Sequence, residues 1–120
     1  MRAVYCSDSL ALACLECLVH VRPLPRRFAP GTYYTIEIPE RHLERRALSD
    51  LPHGWRDPVA PAGVRDFGTK FVIERRAIAL VVPSAILPVG WNAVLNPSHP
   101  LFRLAWVEGP YPFKFDERLE

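Results

Sequence analysis

The chain has 120 residues, 49% of them apolar and 23% charged, with a formal net charge of +2. A length of this order gives one domain, 1–120, able to bury roughly 65% of its unfolded surface around a single core. Basic side chains sit beside acidic ones, as in Glu40-Arg41 and Glu44-Arg45-Arg46; no stripe of like charge is left for a phosphate backbone, which argues against nucleic acid as a direct ligand. No apolar run approaches the ~18 residues that span a bilayer, and the first residues lack the pattern of a secretory leader. Three cysteines, Cys6, Cys14 and Cys17, make an odd set with no spacing suited to a disulfide framework. A reducing cytoplasm is the expected compartment.

The 13 prolines are spread along the chain, which predicts many short elements rather than a helical bundle. Ala3-Val4-Tyr5-Cys6 reads as a short buried strand. Ser7-Asp8-Ser9 is a cluster of good N-cap residues, and a helix is predicted from Leu10 to Val21, ended by Pro23 and Pro25. Thr32 to Ile38 alternates β-branched and aromatic residues and predicts a strand stopped by Pro39. Residues 40–61, with Leu51-Pro52-His53-Gly54-Trp55, are mostly loop with room for one short strand. Ala62 to Glu74 is a helix candidate weakened by Gly63 and Gly68. The continuous apolar run Ala77 to Val82 predicts a strand buried on both faces. Turns follow at Pro83–Pro88 and at Asn96-Pro97-Ser98-His99-Pro100. Phe102 to Val107 and Tyr111 to Phe115 are read as two strands of a hairpin about Gly109-Pro110. The sum is an α+β domain with a small mixed β-sheet and flanking helices.

The predicted helix LALACLECLVHV is apolar almost all round, so it is expected to be packed on several sides. Glu16 is its one charged residue, with His20 four positions on along the same face. A carboxylate inside apolar surroundings is costly unless it is paired or kept for chemistry. A structural ion pair, a groove-facing side chain and an active-site acid all satisfy that constraint. Cys14-x-x-Cys17 lacks the further ligands of a zinc site and lies mid-helix, away from the dipole that activates redox thiols. Cys14 and Cys17 are therefore read as buried, unreactive thiols, and no metal is expected. Ser84 follows a buried strand, where a polar residue can cap a turn or meet a ligand at a sheet end. No G-x-S-x-G elbow or phosphate-binding glycine loop accompanies it.

Taken in order, several segments resemble the RES family. They are the run from Val4 through Ser7-Asp8-Ser9 to Glu16 and His20, then Leu51-Pro52-His53-Gly54-Trp55, then Val82-Pro83-Ser84-Ala85. Asn92 with Leu95-Asn96-Pro97-Ser98-His99-Pro100, and the closing Phe115-Asp116-Glu117-Arg118-Leu119, complete the set. The resemblance covers nearly the whole chain.

It implies a fold similar to ADP-ribosyltransferases and the toxin of a bacterial toxin–antitoxin pair. Such a toxin cleaves the nicotinamide–ribose bond of NAD⁺, the substrate, and passes ADP-ribose to phosphate, water or a protein. An Xre-like antitoxin is the implied partner, with a homodimer also suggested. Glu16 and Ser84 match the family's name-giving glutamate and serine and are the implied catalytic residues. Tyr5, Ser84 and Asn96 are the implied NAD-binding residues. The family's arginine belongs to a Gly-Gly-Arg-Trp-Asn-like segment ahead of the tyrosine strand. Arg2 does not match it, so the domain is expected to be partial at its N-terminus. That gap gives an alternative expectation, an inactive RES remnant that keeps only antitoxin binding.

Overall fold

Short strands around one apolar helix are what the alternation and turn chemistry predict, and the chain forms them. The computed structural model describes residues 4–20, 30–51, 53–56, 70–71, 73–116 and 118. Along these run β1 (Val4–Ser7), α1 (Leu10–His20), β2 (Gly31–Ile36), β3 (Leu43–Arg45), β4 (Ala79–Pro83), β5 (Trp91–Leu95) and β6 (Val107–Phe113). Tight 3-10 turns lie at Glu40–His42, Leu48–Asp50 and Leu104–Trp106. Of the helix predicted over 62–74, Lys70, Phe71, Ile73 and Glu74 are helical; residues 62–69 and 72 lie outside the described residues, as do 21–29, Pro52 and 57–61.

The strands form a four-stranded sheet in the order β1-β5-β4-β3 and a two-stranded sheet of β2 and β6. β3 pairs with β4 in parallel, whereas β1–β5 and β4–β5 are antiparallel. The α+β class and the mixed sheet are as the sequence predicts. β4 and the residue before it carry the core: Ile78 and Ala79 are fully buried, and Leu80 nearly so. On one face of β4, Leu80 packs with Phe71 and Ala77, flanked by Val82 and Val94. A strand covered on both sides needs apolar residues at every position, which explains its unbroken run.

Ser9 caps α1, its Oγ accepting the N–H of Leu12 at 3.1 Å. Leu12 is the buried anchor of the helix, while Leu10, Ala11, Leu15 and Cys17 are exposed. The helix thus packs on one side, not on several. A close approach sets its height over the sheet: a Cβ at Gly90 would stand 2.8 Å from Leu12 Cδ2.

Two further elements differ from expectation. β5 forms where only turns on either side were read, and it lies between β1 and β4 in the sheet. The hairpin about Gly109-Pro110 is absent, because β6 runs straight through that dipeptide against β2. Gly109, at φ +129°, sits where a Cβ would be 2.9 Å from Tyr34 Cδ1 and 3.0 Å from the Tyr33 carbonyl. It therefore serves as a bulge, matched by a register shift between Tyr33 and Thr35. The residues before it form a 3-10 turn at Leu104–Trp106 instead of extending, and Trp106 lies 5.8 Å from His42 and 5.9 Å from Phe102.

Two stability predictions follow from this packing. Phe71→Ala removes the largest side chain of the core cluster and is expected to cost about 3–5 kcal/mol, read as a lower urea midpoint with an unchanged slope. His42 is held below the ordinary histidine range by partial burial, then by Arg41, His99 and Arg103. Its folded-state value lies below its unfolded one, so the unfolded state takes up protons first as pH falls. The melting temperature should therefore drop between about pH 7.5 and pH 5.5, and drop less in His42→Gln.

Candidate active site

Glu16 projects from the middle of α1 toward the ends of β4 and β5. Ser84 Oγ donates to Glu16 Oε1 at 2.9 Å, and Asn92 Nδ2 donates to the same oxygen at 2.6 Å. Behind Asn92, Ser7 Oγ donates to Asn92 Oδ1 at 2.7 Å. Two donors, one just after β4 and one on β5, thus meet on one carboxylate of α1, with β1 behind them. The Asn92 bond, at 2.6 Å, is short, as expected when the acceptor is charged. Glu16 Oε2 has no partner among the described residues.

Local backbone geometry fixes each donor. Ser84 immediately follows β4 and is fully buried. Its hydroxyl oxygen accepts the N–H groups of Ile86 and Leu87, both at 3.1 Å. A serine hydroxyl has two acceptor lone pairs and one hydrogen; here the lone pairs take the turn and the hydrogen goes to Glu16. The turn is closed by the Ser84 N–H to the Gly90 carbonyl at 2.9 Å and the Gly90 N–H to the Leu87 carbonyl at 2.8 Å. Arg56 pins the same turn from outside, donating through Nε to the Ala85 carbonyl at 2.9 Å. Asn92 stands opposite Ser7 on β1 and Val82 on β4, so the three side chains form a row across one face of the sheet.

Tyr5 lies two residues before Ser7 on β1 and hence on the same face. Its side chain is 79% exposed. Asn96 is not brought to this cluster. It follows β5 at the opposite end, about 13 Å along the strand from Asn92. Nearly buried, it accepts the Ser98 N–H on Oδ1 at 3.1 Å and the His99 N–H on its carbonyl at 3.1 Å. It holds the rigid turn.

A cleft of about 500 Å³ opens on the opposite side of the sheet from Glu16, and neither Glu16 nor Ser84 lines it. Its floor is the other face of the sheet, where Cys6, Ala93, Val81 and Arg45 stand in register. Ile36 and Ile38 flank it, and Ser7, Asp8, Trp91 and Asn92 also line it. Ser7 and Asn92 therefore belong both to the cleft and to the network on Glu16. Asp8 is tied to Trp91, accepting its N–H on Oδ2 at 3.3 Å. Arg45 is the cation of the cleft wall. Its Nε and Nη2 donate to Glu40 at 2.7 and 3.2 Å, and its guanidinium lies 5.9 Å from the Trp91 ring.

The cysteines do not share one environment. Cys6 and Cys14 are half-buried, and burial pushes both thiols up, Cys14 with a smaller contribution from Cys17. Cys17 is exposed, because helical spacing turns it to the outer face of α1; the reading of Cys14 and Cys17 as a buried pair fails there. The side chain of His20 lies outside the described residues. Among the described residues no group of three or more His, Cys, Asp or Glu is placed to hold a metal ion, and no helix is long and apolar enough to cross a membrane.

Ser7 and Asn92 are the residues that sequence reasoning passed over. Ser7 reads as one of three capping residues, and Asn92 as part of the family's pattern alone. The signal available was the alternation in Trp91-Asn92-Ala93-Val94-Leu95 between Gly90 and Asn96-Pro97, which marks a strand with Asn92 and Val94 on one face.

A family model described as the RES domain matches residues 1–116. "Toxin Res" of Yersinia enterocolitica is 35% identical over 120 residues, covering 98% of the chain and 78% of that protein. "Toxin Res" of Photorhabdus laumondii is 39% identical over 95 residues, covering 79% of the chain and 60% of that protein. The "Prs ADP-ribosylating toxin" of a Sphingobium species is 36% identical over 104 residues, covering 81% of the chain and 62% of that protein. The chain thus spans between 60% and 78% of the length of these relatives. A match along nearly all of its residues places it by descent: the chain belongs to the RES domain family.

Proposed function

We propose that this chain is a toxin that acts on NAD⁺ in the cytoplasm, breaking the bond between nicotinamide and ribose. The observation that carries the reading is a single carboxylate, Glu16, held through Oε1 by Ser84 and Asn92, with Oε2 left without a partner among the described residues. Family membership and a relative named as an ADP-ribosylating toxin support it.

In this reading the C1′–N bond breaks with its electron pair going to nicotinamide, and positive charge develops on the ribose. Glu16 Oε2 stabilises that charge or takes the proton of the incoming nucleophile. Water, phosphate or a protein side chain then forms the new bond at C1′, giving ADP-ribose on that acceptor. Ser84 acts through Glu16, because its hydrogen is already given to the carboxylate. Tyr5 offers an exposed ring for stacking on the ligand. Asn96 contributes by shaping the turn after β5.

The resemblance also implies an Xre-like antitoxin that covers the site. A second reading makes the chain only a binding module for that partner, and the outer face of α1 favours it: Leu10 and Leu15 are each 42% exposed. The two readings separate on turnover. With NAD⁺, in water, in phosphate and with candidate protein acceptors, the enzyme reading expects nicotinamide release by chromatography. Glu16→Gln should lower that release about 10²- to 10³-fold. Absence of release under all three conditions, or a Glu16→Gln variant as active as the parent, would refute the enzyme reading.

A further inference from the structure

We infer that Asn92, oriented by Ser7, is the positioning residue that fixes Oε1 of Glu16 and so presents Oε2 to the ligand. The inference rests on Glu16 as the working carboxylate and adds the device that aims it. The last torsion of a glutamate side chain is soft and roughly two-fold. A carboxylate held by Ser84 alone could pivot about that single hydrogen bond. A second donor, reaching the same oxygen from another strand at 2.6 Å, removes the pivot. With both donors on Oε1, the remaining acceptor capacity of the group lies on Oε2.

An amide can offer either its oxygen or its NH₂ to a neighbour, and only the NH₂ suits a carboxylate. Ser7 decides this by donating to Asn92 Oδ1 at 2.7 Å. Ser7 is in turn placed by the β1–β5 ladder, in which it stands directly opposite Asn92. The chain of hydrogens therefore runs one way, from β1 to β5 to α1. The groups bonded to the carboxylate, Ser84 and Asn92, are neutral, as is Ser7 behind them. Among the described residues, orientation is thus supplied without an ion pair that would offset the charge of Glu16.

The test has two arms on the full chain. In the first, the Asn92 side-chain amide is followed by proton–nitrogen NMR. One of its NH₂ protons should lie far downfield and exchange slowly, move upfield in Glu16→Gln, and lose its slow exchange in Ser7→Ala. An Asn92 amide with ordinary shifts, indifferent to both changes, overturns the inference whether or not turnover is seen. In the second, nicotinamide release is measured for folded variants, checked by thermal melts. Asn92→Ala should lower kcat about 10- to 100-fold with a smaller change in KM, and Ser7→Ala should move kcat in the same direction by less. Asn92→Asp should be poorly active at neutral pH and regain activity as pH falls, because two adjacent carboxylates then share a proton. Loss of activity in Glu16→Gln with full kcat in Asn92→Ala and Ser7→Ala overturns the positioning role alone. Full activity in Glu16→Gln overturns the underlying reading instead.

Discussion

The site depends on one interaction, the hold of two neutral donors on a single oxygen of Glu16. Ser84 reaches it from the end of β4 and Asn92 from β5. A half-buried carboxylate loses part of its hydration, and charge-assisted hydrogen bonds replace it. The requirement reaches outward from there. Ser84 must be oriented by its turn, Asn92 by Ser7, and α1 must sit at the height that Gly90 allows over Leu12. The buried strand β4 gives these parts a common reference, since it is paired on both sides and packed on both faces.

The cleft shares walls with that network and differs from it in character. Its floor is apolar, from Ala79, Val81, Ala93 and Leu95, and its polar groups collect where Ser7, Asp8 and Asn92 stand. That division is common in small-molecule sites, in which apolar area gives affinity and a few fixed polar groups give orientation. Arg45 is restrained by Glu40 and lies beside Trp91, so the one guanidinium among the residues lining the cleft is held in place.

Much of this is legible in the sequence. The unbroken run at 77–82 marked β4, the Ser7-Asp8-Ser9 cluster marked the start of α1, and the isolated acid in an apolar helix marked Glu16. These features are local, and local physics writes them plainly. β5 was hidden because five residues flanked by turn chemistry carry little pattern. The bond from Ser7 to Asn92 spans 85 positions of sequence and follows only from strand register. The continuity of β6 was hidden for another reason. A Gly-Pro dipeptide reads as a turn, and only the approach of Tyr33 and Tyr34 shows the glycine working inside a strand. The outer face of α1 misled in the opposite sense, since apolar residues there are exposed rather than packed.

The turn that follows β4 constrains what covalent chemistry the domain can do. Ser84 has no surface open to solvent, both its lone pairs are taken by backbone N–H groups, and its hydrogen is engaged. In this arrangement the oxygen is not poised to attack an electrophile. Reagents that disarm serine hydrolases by phosphonylating an exposed nucleophile would find none at this position. The serine belongs to the architecture of an acid, not to the family of nucleophiles its name might suggest.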